Sequence, residues 1–136
     1  MEKIKADIYW SDKNYCCGWS APGLGAVFCT GKTLEEVQRE FESSLRFHIE
    51  GMVEGGEEVP QWLSDGSYEI EYTLAVSALL RQAEQYTTMA ALSRVTGINQ
   101  KLLSNYAGSV KIPRQTQRQR IVEGLHTIGR HFLSLM

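Results

Sequence analysis

Apolar and polar residues alternate along residues 3–10, 15–19 and 68–74, the pattern of strands with one buried face. Residues 26–30 are rich in β-forming side chains and predict one more strand. A period of three to four begins at Thr33, where a glutamate three positions later completes a capping box. The order β-β-β-α-β, with one helix covering one face of the sheet, predicts an α+β unit over residues 1–76.

Residues 77–136 show helical periods only and predict an all-α domain. Ser77 is placed to cap a supporting helix that extends to Tyr86, and Arg114 begins a long final helix. The apolar stripe of that final helix is wider than three short neighbours need, so we expect part of it to pack on a second copy of the chain. Complete coverage within one chain is the alternative. The stripe comprises Ile121, Val122, Leu125, Ile128, Phe132 and Leu133.

The stretch from Thr88 to Ala107 predicts two short helices joined by a tight turn. Thr88 and Asn99 are suitable N-caps, and Gly97 tolerates the positive φ that such a turn requires. A helix-turn-helix of this kind presents its second helix to the major groove of DNA, although a plain helical bundle has similar turns.

The outer face of the second helix carries amide, basic and small polar groups. An amide such as Gln100 can read adenine, and Lys101 can reach the O6 and N7 atoms of guanine. The predicted base contacts are Gln100, Lys101, Leu102, Ser104 and Asn105, with Leu102 apolar and outward, facing a thymine methyl group. The predicted phosphate contacts are Thr88, Lys111 and Arg114. Arg118 and Arg120 join them only if the last helix begins beside the DNA.

Charge is unevenly divided along the chain, although the net charge is only −2. Residues 1–77 contain 6 Lys+Arg and 14 Asp+Glu, a net charge of −8. Residues 78–136 contain 8 Lys+Arg and 2 Asp+Glu, a net charge of +6. The basic half suits phosphates, and the acidic half suits a basic protein, unless its acidic helices are simply solvated.

No catalytic constellation is evident, so we expect a non-enzyme without cofactor or metal. Asp7, Glu69 and Glu71 could hold a metal ion if their strands were neighbours, but a solvated sheet face is the simpler interpretation. The three cysteines lack disulfide or zinc spacing. No secretory or membrane-spanning segment is evident, which predicts a cytoplasmic protein.

Four features of the first half of the chain occur together in a known order: the strand from Tyr15 to Trp19, the loop 20–25, Gly31, and the helix start 33–37. In these features the chain resembles the HicB antitoxin family. The loop departs from the PDLPG-type pattern of that family, and Val37 stands where alanine is usual. Residues 91–106, with Pro113, resemble the lambda-repressor-like helix-turn-helix that some HicB proteins carry.

This resemblance implies a partial RNase-H-like domain without nuclease activity, bound to a basic, mRNA-cleaving toxin of the HicA type. It also implies a helix-turn-helix domain that represses the shared operon through double-stranded operator DNA. Asp7, Glu69 and Glu71 are the predicted toxin contacts, and a homodimer or higher oligomer is expected. Two alternatives remain: a stand-alone regulator that senses a small ligand, and an interaction module that binds no DNA.

Overall fold

The structure, a computed structural model, describes residues 1–136 and is α+β, with strands in the N-terminal part and helices in the C-terminal part. Residue contacts define two compact units. Unit 1 comprises residues 1–9 and 13–74, and unit 2 comprises 10–12 and 75–136. The elements are β1 (Glu2–Ser11), β2 (Asn14–Ala21), β3 (Gly25–Gly31), α1 (Leu34–Glu54), α2 (Gln61–Ser64), β4 (Tyr68–Leu74), α3 (Val76–Ala83), α4 (Met89–Thr96), α5 (Gln100–Ala107) and α6 (Gln115–Ser134).

Unit 1 is built on a mixed four-stranded sheet in the order β3-β2-β1-β4. The last strand pairs in parallel with the first, so that Ile4 lies opposite Ile70, while β2 and β3 pair antiparallel. The four predicted strands are therefore confirmed. The short helix α2 follows Pro60, between α1 and β4, and is an addition to the predicted β-β-β-α-β order.

Helix α1 begins with the predicted capping box. The Thr33 hydroxyl accepts a hydrogen bond from the Glu36 amide at 3.0 Å. The Glu36 carboxylate accepts one in return from the Lys32 amide at 3.1 Å, one residue before the cap. Both bonds satisfy amides that have no partner within a helix, which explains why the helix begins here.

The apolar face of α1 supplies much of the core of unit 1. The helix continues through Gly51 and ends at Glu54. His48 is half-buried, and the neighbouring Ile49 is buried in the core. Gly31 of β3 lets the helix approach closely, because a Cβ there would lie 2.7 Å from the Val37 amide nitrogen. The buried residues of α1 are Val37, Phe41, Leu45, Ile49 and Met52.

Unit 2 corrects two expectations for the supporting helix. Ala75, not Ser77, is the N-cap of α3, and Ser77 lies inside the helix. The buried Ser77 hydroxyl instead accepts a hydrogen bond from the Trp10 amide at 3.0 Å. The helix ends at Ala83, and the Tyr86 side chain is 87% exposed.

The core of unit 2 joins α3, α4, α5 and α6. Gly124 of α6 brings that helix against α4, because a Cβ at this position would lie 2.7 Å from Cγ2 of Thr96. None of the six helices combines the length and apolar character needed to cross a bilayer. The buried cluster comprises Val76, Leu80, Leu92, Ile98, Leu103, Tyr106, Ala107 and Ile121.

Candidate nucleic-acid interface

Helices α4 and α5 are joined by a three-residue turn whose geometry follows the sequence prediction. The Thr88 hydroxyl accepts from the Ala91 amide at 3.1 Å and caps α4. Gly97 ends α4 in the left-handed region, with φ of 72°. The Asn99 side chain accepts from the amides of Lys101 (2.8 Å) and Leu102 (3.3 Å) and caps α5. Both predicted caps and the glycine turn are therefore confirmed.

Two hydroxyl groups hold the inside of this turn. Ser93 donates to the Ile98 carbonyl at 2.6 Å. Thr96 donates to the Leu92 carbonyl at 2.8 Å and accepts from the Ile98 amide at 3.1 Å. The Ile98 side chain is buried within the turn. Serine and threonine occur in many settings, so no sequence pattern pointed to this role.

Arg120 of α6 supports the turn from outside. Its Nη2 donates to the carbonyls of Thr96 (3.2 Å) and Gly97 (3.1 Å), while Nη1 donates to the Gln117 side chain at 2.9 Å. A cation at the carbonyl end of a helix also complements the helix dipole. The Arg120 guanidinium is therefore engaged with the protein itself at the α4–α5 turn.

The predicted base-contact residues divide into two groups. Gln100, Lys101 and Ser104 are exposed on α5. Leu102 is half-buried and packs against the unit 2 core, so the expectation that it points outward is wrong in part, because its apolar side chain gains more from burial. Asn105 is also half-buried, and its carbonyl accepts from the amides of residues 110 and 111.

The predicted phosphate-contact residues are all exposed. Thr88 lies at the N-terminus of α4, where its hydroxyl oxygen accepts the capping bond and the hydroxyl proton can still be donated. Lys111 lies in the loop after α5, and Arg114 is the N-cap residue of α6. These donors belong to three different elements of unit 2.

Few acidic groups oppose the basic ones in unit 2. The only acidic residues in 78–136 are Glu84, which lies 3.4 Å from Arg81, and Glu123, which lies 3.4 Å from Arg130. Neither pair involves Lys101, Lys111 or Arg114. The positive charge around α5 is therefore not neutralised by these carboxylates.

On the outer face of the unit 1 sheet, basic side chains of β1 lie opposite acidic side chains of β4. Lys3 lies opposite Glu69 in the register, and Lys5 lies opposite Glu71. The Lys3 ammonium also lies 3.0 Å from the Glu71 carboxylate. This hydrogen-bonded pair lowers the pKa of Glu71 and raises the pKa of Lys3. Although β1 and β4 are neighbours, no three His, Cys, Asp or Glu side chains are grouped to hold a metal ion.

Much of the acidic charge of unit 1 lies on α1 rather than on the sheet. Six glutamates and two arginines occur between residues 34 and 54. The three ion pairs in the chain involve none of them. The glutamates are Glu35, Glu36, Glu40, Glu42, Glu50 and Glu54.

An apolar groove of about 760 Å³ lies within unit 2, between the α3–α4 segment and α6. Ala83, Val95, Leu125 and Ile128 form part of its walls, and Phe132 at its rim is 56% exposed. The predicted stripe of α6 is thus buried at Ile121, partly covered at Leu125 and Ile128, and exposed further on. No sequence pattern indicated the groove, because its walls come from three separate segments.

No protein-family model, curated protein or solved structure matches this chain.

Proposed function

We propose that the chain is a DNA-binding autorepressor and antitoxin. Unit 2 binds double-stranded operator DNA through a helix-turn-helix formed by α4 and α5, and unit 1 binds a small basic toxin of the HicA type. The observation that carries the DNA proposal is the capped α4–Gly97–α5 arrangement with Gln100 and Lys101 exposed. A recognition helix must present such groups at its N-terminal turns.

Direct base reading is assigned first to Gln100, Lys101 and Ser104, whose side chains are exposed on α5. Glutamine pairs through its amide with adenine, and lysine donates to guanine O6 or N7. Leu102 and Asn105 take secondary roles, since each is half-buried. Asn105 holds the loop that carries Lys111, which makes its carbonyl a positioning group.

Phosphate binding is assigned to Thr88, Lys111 and Arg114. The hydroxyl and amide groups at the N-terminus of α4 suit a phosphate oxygen, because a helix N-terminus is electropositive. Lys111 and Arg114 add two positive charges in the segment that follows α5. Such contacts fix the position of the protein on the duplex without reading its sequence.

A second copy of the chain is the proposed occupant of the unit 2 groove. The exposed end of α6 carries Phe132, Leu133 and Leu135 directly beyond the groove that the same helix lines. A two-fold arrangement allows the apolar end of each α6 to fill the groove of the other copy, so both apolar surfaces are covered by one interface. Such a dimer would present two α5 helices to a two-fold operator.

The toxin proposal draws its support from charge. The sheet-face contacts Asp7, Glu69 and Glu71 stay within it, but Glu71 is already paired with Lys3. The glutamates of α1 have no such ion pairs and give a cationic partner the stronger attraction. We therefore extend the proposed toxin surface to α1.

DNA binding is tested with the full chain and a duplex spanning the region upstream of its own gene, by fluorescence anisotropy. Lys101→Ala is expected to weaken binding by about 1–3 kcal/mol. Lys32→Ala is the matched control, since this exposed lysine lies in unit 1. Unchanged affinity of Lys101→Ala, with the fold retained, would remove α5 as the recognition helix. No binding by the unaltered chain would favour the interaction module instead.

Toxin binding is tested by a pull-down titration with the purified product of the adjacent open reading frame. Glu50→Lys with Glu54→Lys on α1 is expected to weaken the complex more than Glu69→Lys with Glu71→Lys on the sheet. If the unaltered chain and both double variants bind the toxin with equal affinity at low salt, the electrostatic basis of the proposal is eliminated. The absence of any complex would favour a stand-alone regulator.

A further inference from the structure

The two edges of the unit 1 sheet differ in their chemistry. Strand β4 at one edge carries Glu69 and Glu71. Strand β3 at the other edge, Gly25–Gly31, contains neither a charged residue nor a proline. Natural proteins protect free edges with charges, prolines or bulges, because an edge strand offers unpaired amides and carbonyls to another chain. The β3 edge lacks the first two of these protections.

The outward backbone groups of β3 are not used by turns or loops. None of the backbone hydrogen bonds outside regular elements involves residues 26–31. The Cys29 thiol does contact the Val37 carbonyl at 3.6 Å, but that contact ties the strand to α1 and leaves the edge open. A further strand can therefore pair with the β3 edge without breaking any existing backbone hydrogen bond.

Two exposed phenylalanines lie beside the open edge. Phe28 of β3 is 61% exposed, and Phe47 of α1 is 79% exposed. Both line a shallow hollow of about 410 Å³ together with Ser44 and Gly51. A Cβ on Gly51 would meet nothing within 4 Å, so the space beside Phe47 is open.

We propose that β3 pairs antiparallel with β3 of a second copy, joining two unit 1 sheets into one continuous sheet. A two-fold axis at Phe28 lets all seven residues pair, because residues 25 and 31 are equidistant from it. The pairing places no like charges opposite one another, since the strand has none. Unlike the acidic helix α1, strand β3 carries no charge that would attract a cationic toxin, so a second copy is the better partner for this edge.

The side chains beside the edge are also self-complementary. Each copy offers an aromatic side chain, Phe47, and an open space between the small residues Ser44 and Gly51 on the same helix. The two copies together contribute four phenylalanines, each still 61% or 79% exposed, and complete burial of an aromatic side chain covers about 150–250 Å². These rings can thus supply about a third to a half of the roughly 1,200 Å² at the lower limit of stable interfaces.

The test uses the full chain carrying Phe132→Glu, which blocks the proposed association through α6. Light scattering after gel filtration is expected to give the mass of two chains. Adding Phe28→Lys places two lysines opposite each other at the axis, and adding Phe47→Glu removes the aromatic contact. Each is expected to weaken dimerisation at least tenfold. Thr73→Lys, exposed on the opposite edge strand β4, is the matched control and is expected to leave the dimer intact.

A mass of one chain at every concentration for Phe132→Glu alone, or a dimer that survives Phe28→Lys, would overturn the proposal. Hydrogen exchange gives a second readout without altering β3. Amides of residues 25–31 are expected to lose protection on dilution while those of 68–74 do not, and no dependence on dilution would also overturn it. Failure of DNA or toxin binding has no bearing on these outcomes, because neither ligand is present.

Discussion

Helices α1 and α6 have nearly the same length, 21 and 20 residues, but they are covered to very different extents. The first buries five apolar side chains, spaced along the helix from residue 37 to residue 52. The second buries only Ile121 and Gly124 and leaves Phe132 and Leu133 exposed at 56% and 74%. A wide apolar stripe in the sequence therefore does not tell whether its partner lies in the same chain.

The two helices therefore have different structural roles. All of α1 serves the core of unit 1, whereas the first half of α6 supports the α4–α5 turn through Arg120 and Gly124. Leu125 and Ile128 still pack against the unit 2 core, but Phe132 and Leu133 beyond them are exposed and take no part in it. The expected effects of substitution should follow this division, from the core of α1 to the free end of α6.

The largest effect is expected for Phe41→Ala in α1. The Phe41 ring is completely buried and contacts Tyr72 edge-to-face, with 6.1 Å between ring centroids. Its removal is expected to reduce the free energy of unfolding of unit 1 by about 3–5 kcal/mol. Urea unfolding, monitored through the hydrogen exchange of the α1 amides, would measure this loss of stability. A loss below about 1 kcal/mol would contradict the assignment of α1 as the core helix.

Arg120→Ala is expected to have an intermediate effect. The substitution removes two charge-assisted hydrogen bonds to the carbonyls of Thr96 and Gly97, at a cost of about 1.5 kcal/mol. Arg130→Ala, further along the same helix, removes an exposed ion pair with Glu123 and a long, exposed hydrogen bond to the Thr127 hydroxyl, and should cost less than about 0.5 kcal/mol. Chemical denaturation of unit 2 compares them, and equal losses would reject the proposed support of the turn.

Alkaline pH is expected to destabilise unit 1. Burial raises the pKa of the Cys17 thiol to about 12 and, helped by Glu42, the pKa of Tyr72 above its usual value of 10.0. The unfolded chain therefore loses these protons first, so stability is retained below about pH 9 and falls as the pH rises further. Each of the two groups lowers the free energy of unfolding by at most about 1.4 kcal/mol per pH unit over this range. Tyr72→Phe should flatten the decline between pH 9 and 11, and Tyr86→Phe, at an exposed position, should not.

The smallest effect on stability is expected for Phe132→Ala. The side chain lies at the free end of α6, so the unassociated chain should change by less than about 0.5 kcal/mol. Self-association through α6 should nevertheless weaken, which analytical ultracentrifugation across a dilution series would detect. A large loss of stability in dilute solution would show that Phe132 already has a partner within the chain.

Local signals predicted the strands, the capping box at Thr33, the N-caps at Thr88 and Asn99 and the glycine turn, because each depends on neighbours close in sequence. Thr33, Thr88 and Asn99 cap the helices that their positions indicated. The misplaced cap at Ser77 has a long-range cause, since its hydroxyl bonds to the Trp10 amide, 67 positions earlier. Local patterns do not contain that partner.

The exposed groups of the candidate DNA interface were also predictable, and its supports were not. Gln100, Lys101 and Ser104 follow from helical spacing on α5. Arg120 carries the same charge as a phosphate-binding arginine, and only its position 3.1 Å from the Gly97 carbonyl distinguishes the two roles. Neither the pairing of Lys3 with Glu71 nor the groove beside α6 could be derived from periodicity, since both need the register of distant segments.

The parallel pairing of β1 with β4 has a consequence for the order of folding. Glu2 pairs with Tyr68, so the sheet closes only after most of unit 1 has been synthesised. Near the end of the same strand, the Trp10 carbonyl accepts a hydrogen bond from the hydroxyl of Ser109, which lies 99 positions later in the sequence. Contacts between such distant positions slow folding, because a long loop must close before they form. Strand β1 thus leaves the ribosome well before β4, and the two strands pair late.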